Sequence, residues 1–291
     1  MCSIGGAWAG EQQDAPWGPA RVSQHAKLGS GPWTYRFADN GGEGVAVYVL
    51  GTGIATAHPQ FEGRDVWSRN FTGDGTAGDC NGIGTHLAGT VGGKTYGVAK
   101  KAQLIAVKVA NCEGTGKARD VIEGINFALT DKRGRKGNVI LIGHSGGHSA
   151  ALNQAVSTAT AKGFVVVVPA GNDNHDACNY SPAGAPTAVT VAATDLADKK
   201  ASFSNHGKCV DVLGPGVNIV SAWPGATGET RTQSGTAMAA AHAAGIAATI
   251  LSQGTPAHQV DAKIKSLATK NAVAGFNAAT PNALLFNGIS T

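Results

Sequence analysis

Charge is scarce in this chain. Asp, Glu, Lys and Arg make up only 14% of its 291 residues. That excludes a disordered or tail-like chain, which needs a high charge content to stay unfolded. The net charge of +4 is too small to argue for a polyanion. The one basic run, Lys132-Arg133-Gly134-Arg135-Lys136, reads as a solvated loop between a helix and a strand, so no nucleic-acid partner is expected. No apolar run approaches the roughly 20 residues of a membrane helix, so no membrane is expected either. Residues 1–6, Met1-Cys2-Ser3-Ile4-Gly5-Gly6, have neither the charged n-region nor the apolar h-region of a secretory signal. Cysteine is limited to Cys2, Cys80, Cys112, Cys178 and Cys209. An odd number leaves at least one thiol unpaired in a monomer. Internal repeats, linkers and any sign of a second domain are also missing.

What is present is an alternation. Runs rich in β-branched residues at 45–50, 104–109, 138–142, 164–170 and 188–193 are almost continuously apolar, as buried parallel strands are. Between them, 118–130 and 150–162 carry apolar residues at helical spacing. Thr236–Ser252 reads as a long Ala-rich helix. Strand and helix in turn predict βαβ units and a doubly wound parallel sheet with helices on both faces. The length suits one well-packed α/β domain. We read 15–291 as that domain and 1–14 as an N-terminal extension. Gly-rich stretches at 72–78 and 223–228 read as surface loops.

Several blocks carry a resemblance. They are Val47-Tyr48-Val49-Leu50-Gly51-Thr52-Gly53, Asn81-Gly82-Ile83-Gly84-Thr85-His86-Leu87-Ala88-Gly89-Thr90, Ala170-Gly171-Asn172-Asp173-Asn174, Ser202-Phe203-Ser204-Asn205, and Ser234-Gly235-Thr236-Ala237-Met238-Ala239. In this order and spacing the chain resembles the subtilisin-like serine proteases (peptidase S8), most closely their proteinase K branch. The resemblance runs from Ala15 to Asn287 and implies the subtilisin-like fold, with its cleft at the C-terminal ends of the strands.

At the three catalytic positions the chain departs from the family. Gly51 stands for the Asp, Ile83 for the His and Ala237 for the Ser. A serine nucleophile needs a base within hydrogen-bond reach and a group to orient that base. These three residues supply none of those parts. His86 and His242 match structural histidines of the family and read as core residues. Asn172 matches the oxyanion-hole Asn. His144 and Ser145 take a Leu and a Gly position on a pocket wall. We expect His144 to move a proton, Ser145 to orient a substrate and Asn172 to stabilise an oxyanion. With Gly51, Ile83, Leu87 and Ala237, they would frame an apolar hollow. Gly143-His144-Ser145-Gly146-Gly147 also fits a nucleophile-elbow pattern, which we set aside because no helix is expected directly behind it.

The expectation drawn from these departures is a chain without serine-peptidase activity. One form of it is an isomerase, cyclase or lyase acting on a small-molecule or peptide-derived substrate in the old cleft. The alternative is a non-catalytic pseudoprotease that binds a peptide or protein partner there. No cofactor is required. A structural Ca²⁺ is expected at Asp211, with the carbonyls of Pro186 and Ala188, because the resemblance places a calcium site there and oxygen ligands suit that ion. Cysteine positions of proteinase K are replaced here, by Ala46 and Leu87 for example. Cys178 and Cys209 flank the calcium region. They either pair or stay reduced, according to compartment. The location is cytoplasmic if the chain is the whole gene product, and secreted if a signal and propeptide were removed. Oligomeric state is open.

Overall fold

A computed structural model describes residues 9–225 and 227–289. Cys2 and the rest of 1–6 lie outside the described residues. Among the described residues there are six α-helices: α1 (Trp17–Arg21), α2 (Ile83–Gly92), α3 (Ala118–Asp131), α4 (Ala150–Ala161), α5 (Thr236–Ser252) and α6 (Ala257–Leu267). A nine-stranded sheet runs through the middle. From one edge its strands are Thr269–Lys270, Ala283–Leu284, Val212–Pro215, Val189–Thr194, Phe164–Pro169, Gly137–Ile142, Val45–Gly51, Gln103–Lys108 and Asp65–Asn70. Every neighbouring pair is parallel except the first. This is the expected α/β architecture. Of residues 1–14, Ala9–Gln12 pairs antiparallel with Tyr35–Ala38.

The central strands are apolar on both sides because both sides are covered. Val45, Val47, Val49, Val139, Leu141, Val165 and Val167 pack into one cluster with α2 and α5. Their neighbours Ala46, Tyr48, Leu50, Ile140, Ile142, Val166 and Val168 pack against α3 and α4 on the other face. Successive strand residues point to opposite faces, so the continuous apolar run is the mark of a two-sided core. Helix α5 is Ala-rich for a similar reason. Every residue of it but Ala237 is buried, and small side chains let it lie close to its neighbours. An ideal Cβ on Gly245 would stand 2.7 Å from Val98 Cβ and 3.0 Å from the Val91 carbonyl. Glycine is required at that approach.

Among the described residues two disulfides form. Cys178 pairs with Cys209, which decides the question left open above, and Cys80 pairs with Cys112. The second ties the loop before α2 to the loop before α3. Asn81 Nδ2 donates to Cys112 O at 3.0 Å beside it.

Asp65 opens the edge strand with a carboxyl group whose two oxygens are buried without a hydrogen-bond partner. Burial pushes its pKa up to about 6. A folded pKa above the unfolded one means the native state prefers the proton. The stabilisation is therefore present at acid pH and is lost as pH rises towards and through the folded value. Asp65→Asn has no titrating proton to lose. The stability gap between variant and wild type should widen by about 2 kcal/mol from about pH 4 to about pH 8. Urea unfolding at both pH values checks this, and a gap that does not change with pH would remove the assignment.

Candidate functional site

The site is built where one strand and two helices meet. Strand Val45–Gly51 is buried throughout and flanked in parallel by Gln103–Lys108 and Gly137–Ile142. Its last residue, Gly51, therefore has a fixed position. An ideal Cβ there would have one neighbour within 4 Å, Gly84 Cα at 3.5 Å. The backbone makes room for a side chain that the sequence does not supply.

Helix α2 starts beside it, with Ile83 as its half-buried first residue. The joint is held by Asp79, a residue that sequence reasoning missed. Its Oδ1 accepts from Thr52 Oγ1 at 2.8 Å, Gly82 N at 2.8 Å and Asn81 N at 3.1 Å. Its Oδ2 accepts from Thr85 N at 2.8 Å and Thr85 Oγ1 at 2.6 Å. The carboxylate thus satisfies N–H groups that a helix start leaves free, and its charge suits the positive end of the helix dipole. Thr52 Oγ1 in turn accepts from Gly84 N at 2.9 Å. A Cβ at Gly84 would collide with the Gly53 carbonyl, so glycine allows the strand end and the helix start to touch. The sequence signal was available: an Asp three residues before the helix cap, Gly82, is an Asx-type start.

Helix α5 begins at Thr236. Asn172 Oδ1 accepts from Thr236 N and from Thr236 Oγ1, both at 2.9 Å. Thr236 Oγ1 also accepts from Gly171 N at 3.1 Å. With Oδ1 held by two donors, the orientation of the Asn172 amide is set and its Nδ2 is directed away from Thr236. Ala237 N–H lies in the first helical turn, where no intrahelical acceptor exists. An ideal Cβ on Gly235 would sit 3.7 Å from Asn172 Nδ2 and 3.9 Å from Ala237 N. Both donors are therefore neighbours at the start of α5, with Met238 Sδ 3.4 Å from the same point.

The loop carrying Asn172 is held by Asn205, which sequence reasoning placed in a matching block without giving it a role. Asn205 is fully buried. Its Nδ2 donates to Ala170 O at 2.9 Å, and its Oδ1 accepts from Asp173 N at 3.0 Å and His175 N at 2.9 Å. Gly171 has φ +107°, and a Cβ there would strike the Asn205 amide.

His144 and Ser145 lie on a neighbouring segment, with Ser145 Oγ beside Gly171. They line a cavity of about 430 Å³ between residues 114–118 and 142–149, with Val121, Ile142 and Leu152 as its apolar part. Gly51, Ile83, Ala237 and Asn172 do not line it. His144 Nε2 donates to Gly114 O at 3.2 Å, because a carbonyl can only accept. Its Nδ1 is buried without a partner. Burial pushes its pKa below the ordinary histidine value, so the ring is neutral at neutral pH. The imidazole joins two loops through Nε2, and its Nδ1 is left as an unengaged acceptor. Ser145 is exposed, and an ideal Cβ on Gly171 would lie 3.1 Å from its Oγ. Leu87 is fully buried and fills the space under Gly143.

His86 and His242 are buried, and burial holds both near a pKa of about 4. His86 Nε2 donates to Ile219 O at 2.9 Å, and His242 Nδ1 pairs with Met238 O at 2.9 Å. Asp211 has both oxygens engaged: Oδ2 accepts from Thr190 N at 2.8 Å, and Oδ1 lies 2.7 Å from Lys265 Nζ. Among the described residues no helix is long and apolar enough to cross a membrane.

Known proteins share this frame. The subtilase family model matches residues 42–285. A subtilisin-like protease of Coccidioides posadasii is 46% identical over 95% of this chain and 61% of its own length. The cuticle-degrading protease of Metarhizium anisopliae is 44% identical over 96% of this chain and 71% of its own. A solved structure of a cold adapted subtilisin-like serine proteinase superposes with a TM-score of 0.88. It is 38% identical and covers 95% of this chain and 100% of that one. The chain spans about three fifths of the length of several curated relatives it matches.

These relatives correct one expectation. The reading of a chain without peptidase activity, given over to isomerase, cyclase or lyase chemistry or to partner binding, rested on three side chains. The proteins that match nearly the whole chain are named proteases. From the family match across most of its length and from these identities, the chain belongs to the subtilase family.

Proposed function

We propose that this chain holds a polypeptide in the cleft at the C-terminal ends of the strands and polarises one peptide carbonyl for attack by water. The observation that carries this is the nearness of Asn172 Nδ2 and Ala237 N, which lie 3.7 and 3.9 Å from the position of a Cβ on Gly235. Two neighbouring N–H donors suit an oxygen that gains negative charge. Gly51, Ile83 and Ala237 stand where the resemblance puts a carboxylate, an imidazole and a hydroxyl, so no side chain attacks. Water adds to the carbonyl carbon, the C–N bond breaks, and the water proton ends on the released amine. The relatives' names supply the substrate class: they are proteases, and one is named as cuticle-degrading. Two disulfides support an oxidising, extracellular setting and weigh against the cytosol, where thiols are kept reduced.

The rate follows from what remains. In subtilisin itself, binding and the oxyanion hole without the triad still give about 10³–10⁴ over water. The chain, mixed in stoichiometric amount with a peptide p-nitroanilide, should release the chromophore faster than buffer by about that factor. The release should survive repurification and a serine-directed fluorophosphonate, since Ala237 offers that reagent no hydroxyl. Release at the buffer rate would end the proposal.

A further inference from the structure

Asp211, with the carbonyls of Pro186 and Ala188, is where the resemblance implies a calcium ion. The residues present do not fit one. Calcium takes 6–8 oxygen ligands at about 2.3–2.6 Å. Here Asp211 Oδ2 accepts from Thr190 N at 2.8 Å. Its Oδ1 is 2.7 Å from Lys265 Nζ, and that same Nζ is 2.8 Å from Asp261 Oδ2. One ammonium therefore bridges two carboxylates. An ion on Asp211 Oδ1 would meet the positive charge already there.

The bridge joins separate parts of the fold. Asp261 and Lys265 sit one turn apart on α6. Asp211 immediately precedes strand Val212–Pro215. Its backbone N–H donates to Thr190 O at 2.9 Å while its side chain accepts from Thr190 N, so both groups hold the strand Val189–Thr194. Ala188 lies just before that strand. Asp261 Oδ1 is buried without a partner, which makes the ammonium on its other oxygen the compensation for that carboxylate. An ammonium group has three N–H donors and no acceptor, so it can serve several oxygens at once, as a small metal ion does.

We propose that the Lys265 ammonium takes the place of calcium at Asp211, fastening α6 to the strands Val189–Thr194 and Val212–Pro215 without a metal. The measurement is thermal unfolding in EDTA and in millimolar CaCl2. The quantity read is the part of the calcium-induced rise in Tm that Asp211→Asn abolishes, so binding elsewhere drops out. That part should be zero with Lys265 in place. Lys265→Met keeps the aliphatic stem and removes the charge. It should lower Tm in EDTA by about 3–6 °C, since Asp211 and Asp261 then face each other unpaired. Calcium should recover part of that loss, and Asp211→Asn should abolish the recovery, because only a ligand of the native state raises Tm. Three results would each overturn the proposal. One is an Asp211-dependent calcium shift in the wild type. Another is a Lys265→Met Tm equal to wild type. The third is a lowered Tm that calcium leaves unchanged, which would make the contact an ordinary ion pair.

Discussion

The triple variant Gly51→Asp, Ile83→His, Ala237→Ser should raise peptide turnover by about 10⁶ over the wild-type chain. In subtilisin itself, removal of the three groups costs about that much in kcat. The backbone is ready for the reverse change. A Cβ on Gly51 meets only Gly84 Cα at 3.5 Å, an ordinary contact, and Gly51 closes a strand paired on both sides. Position 83 opens α2, which Asp79 fixes to the strand end through Thr52. Position 237 is the one residue of α5 that is not buried. Single substitutions should give almost nothing, because a hydroxyl without a base is a poor nucleophile and a base without an orienting group is misplaced. Active-site titration and kcat on a peptide p-nitroanilide decide the matter. A triple variant that keeps both disulfides and the parent's circular dichroism, yet turns over at the parent's rate, would show that the three positions do not converge.

The fold was legible wherever burial alone decides residue type. Strand Val45–Gly51 is covered on both faces, so its apolar run could be read directly, and α5 announced itself by small residues over its whole length. The edge strand Asp65–Asn70 was missed because one side of it is only half-buried and carries polar residues. Helix α6 was missed because only Val260 and Ile264 of it are buried. At the site, the family blocks named positions but not the bonds that hold them. Asp79 and Asn205 act on backbone groups of their own loops and of distant residues, and such bonds exist only once the chain has closed on itself. The partner of His144 was hidden for the same reason: the Gly114 carbonyl that its ring meets is 30 residues away. The disulfide Cys80–Cys112 spans 32 residues, and no spacing in the sequence marks it.

Asn172→Ala should cost a factor of about 10²–10³ in kcat, or about 2.7–4 kcal/mol of transition-state stabilisation. The loss should be plainest in the triple variant, where turnover is fast, and should fall on kcat with KM little changed. A donor aimed at a charge that exists only in the transition state contributes little to ground-state binding. The amide owes its orientation to Thr236, whose N–H and hydroxyl both donate to Oδ1 at 2.9 Å. Removing the side chain therefore also frees the start of α5, and that structural share has to be separated. Thr236→Val does so, since it deletes one of the two donors and leaves Nδ2 in place. Its kcat should fall less than that of Asn172→Ala, while its effect on Tm should be comparable. Asn172→Asp is the sharper probe. A carboxylate there can still accept from Thr236 but has no N–H to offer and repels an oxyanion, so it should be at least as slow as the alanine variant. An Asn172→Asp enzyme as fast as its parent would place the negative charge elsewhere and leave the two donors beside Gly235 without a catalytic role.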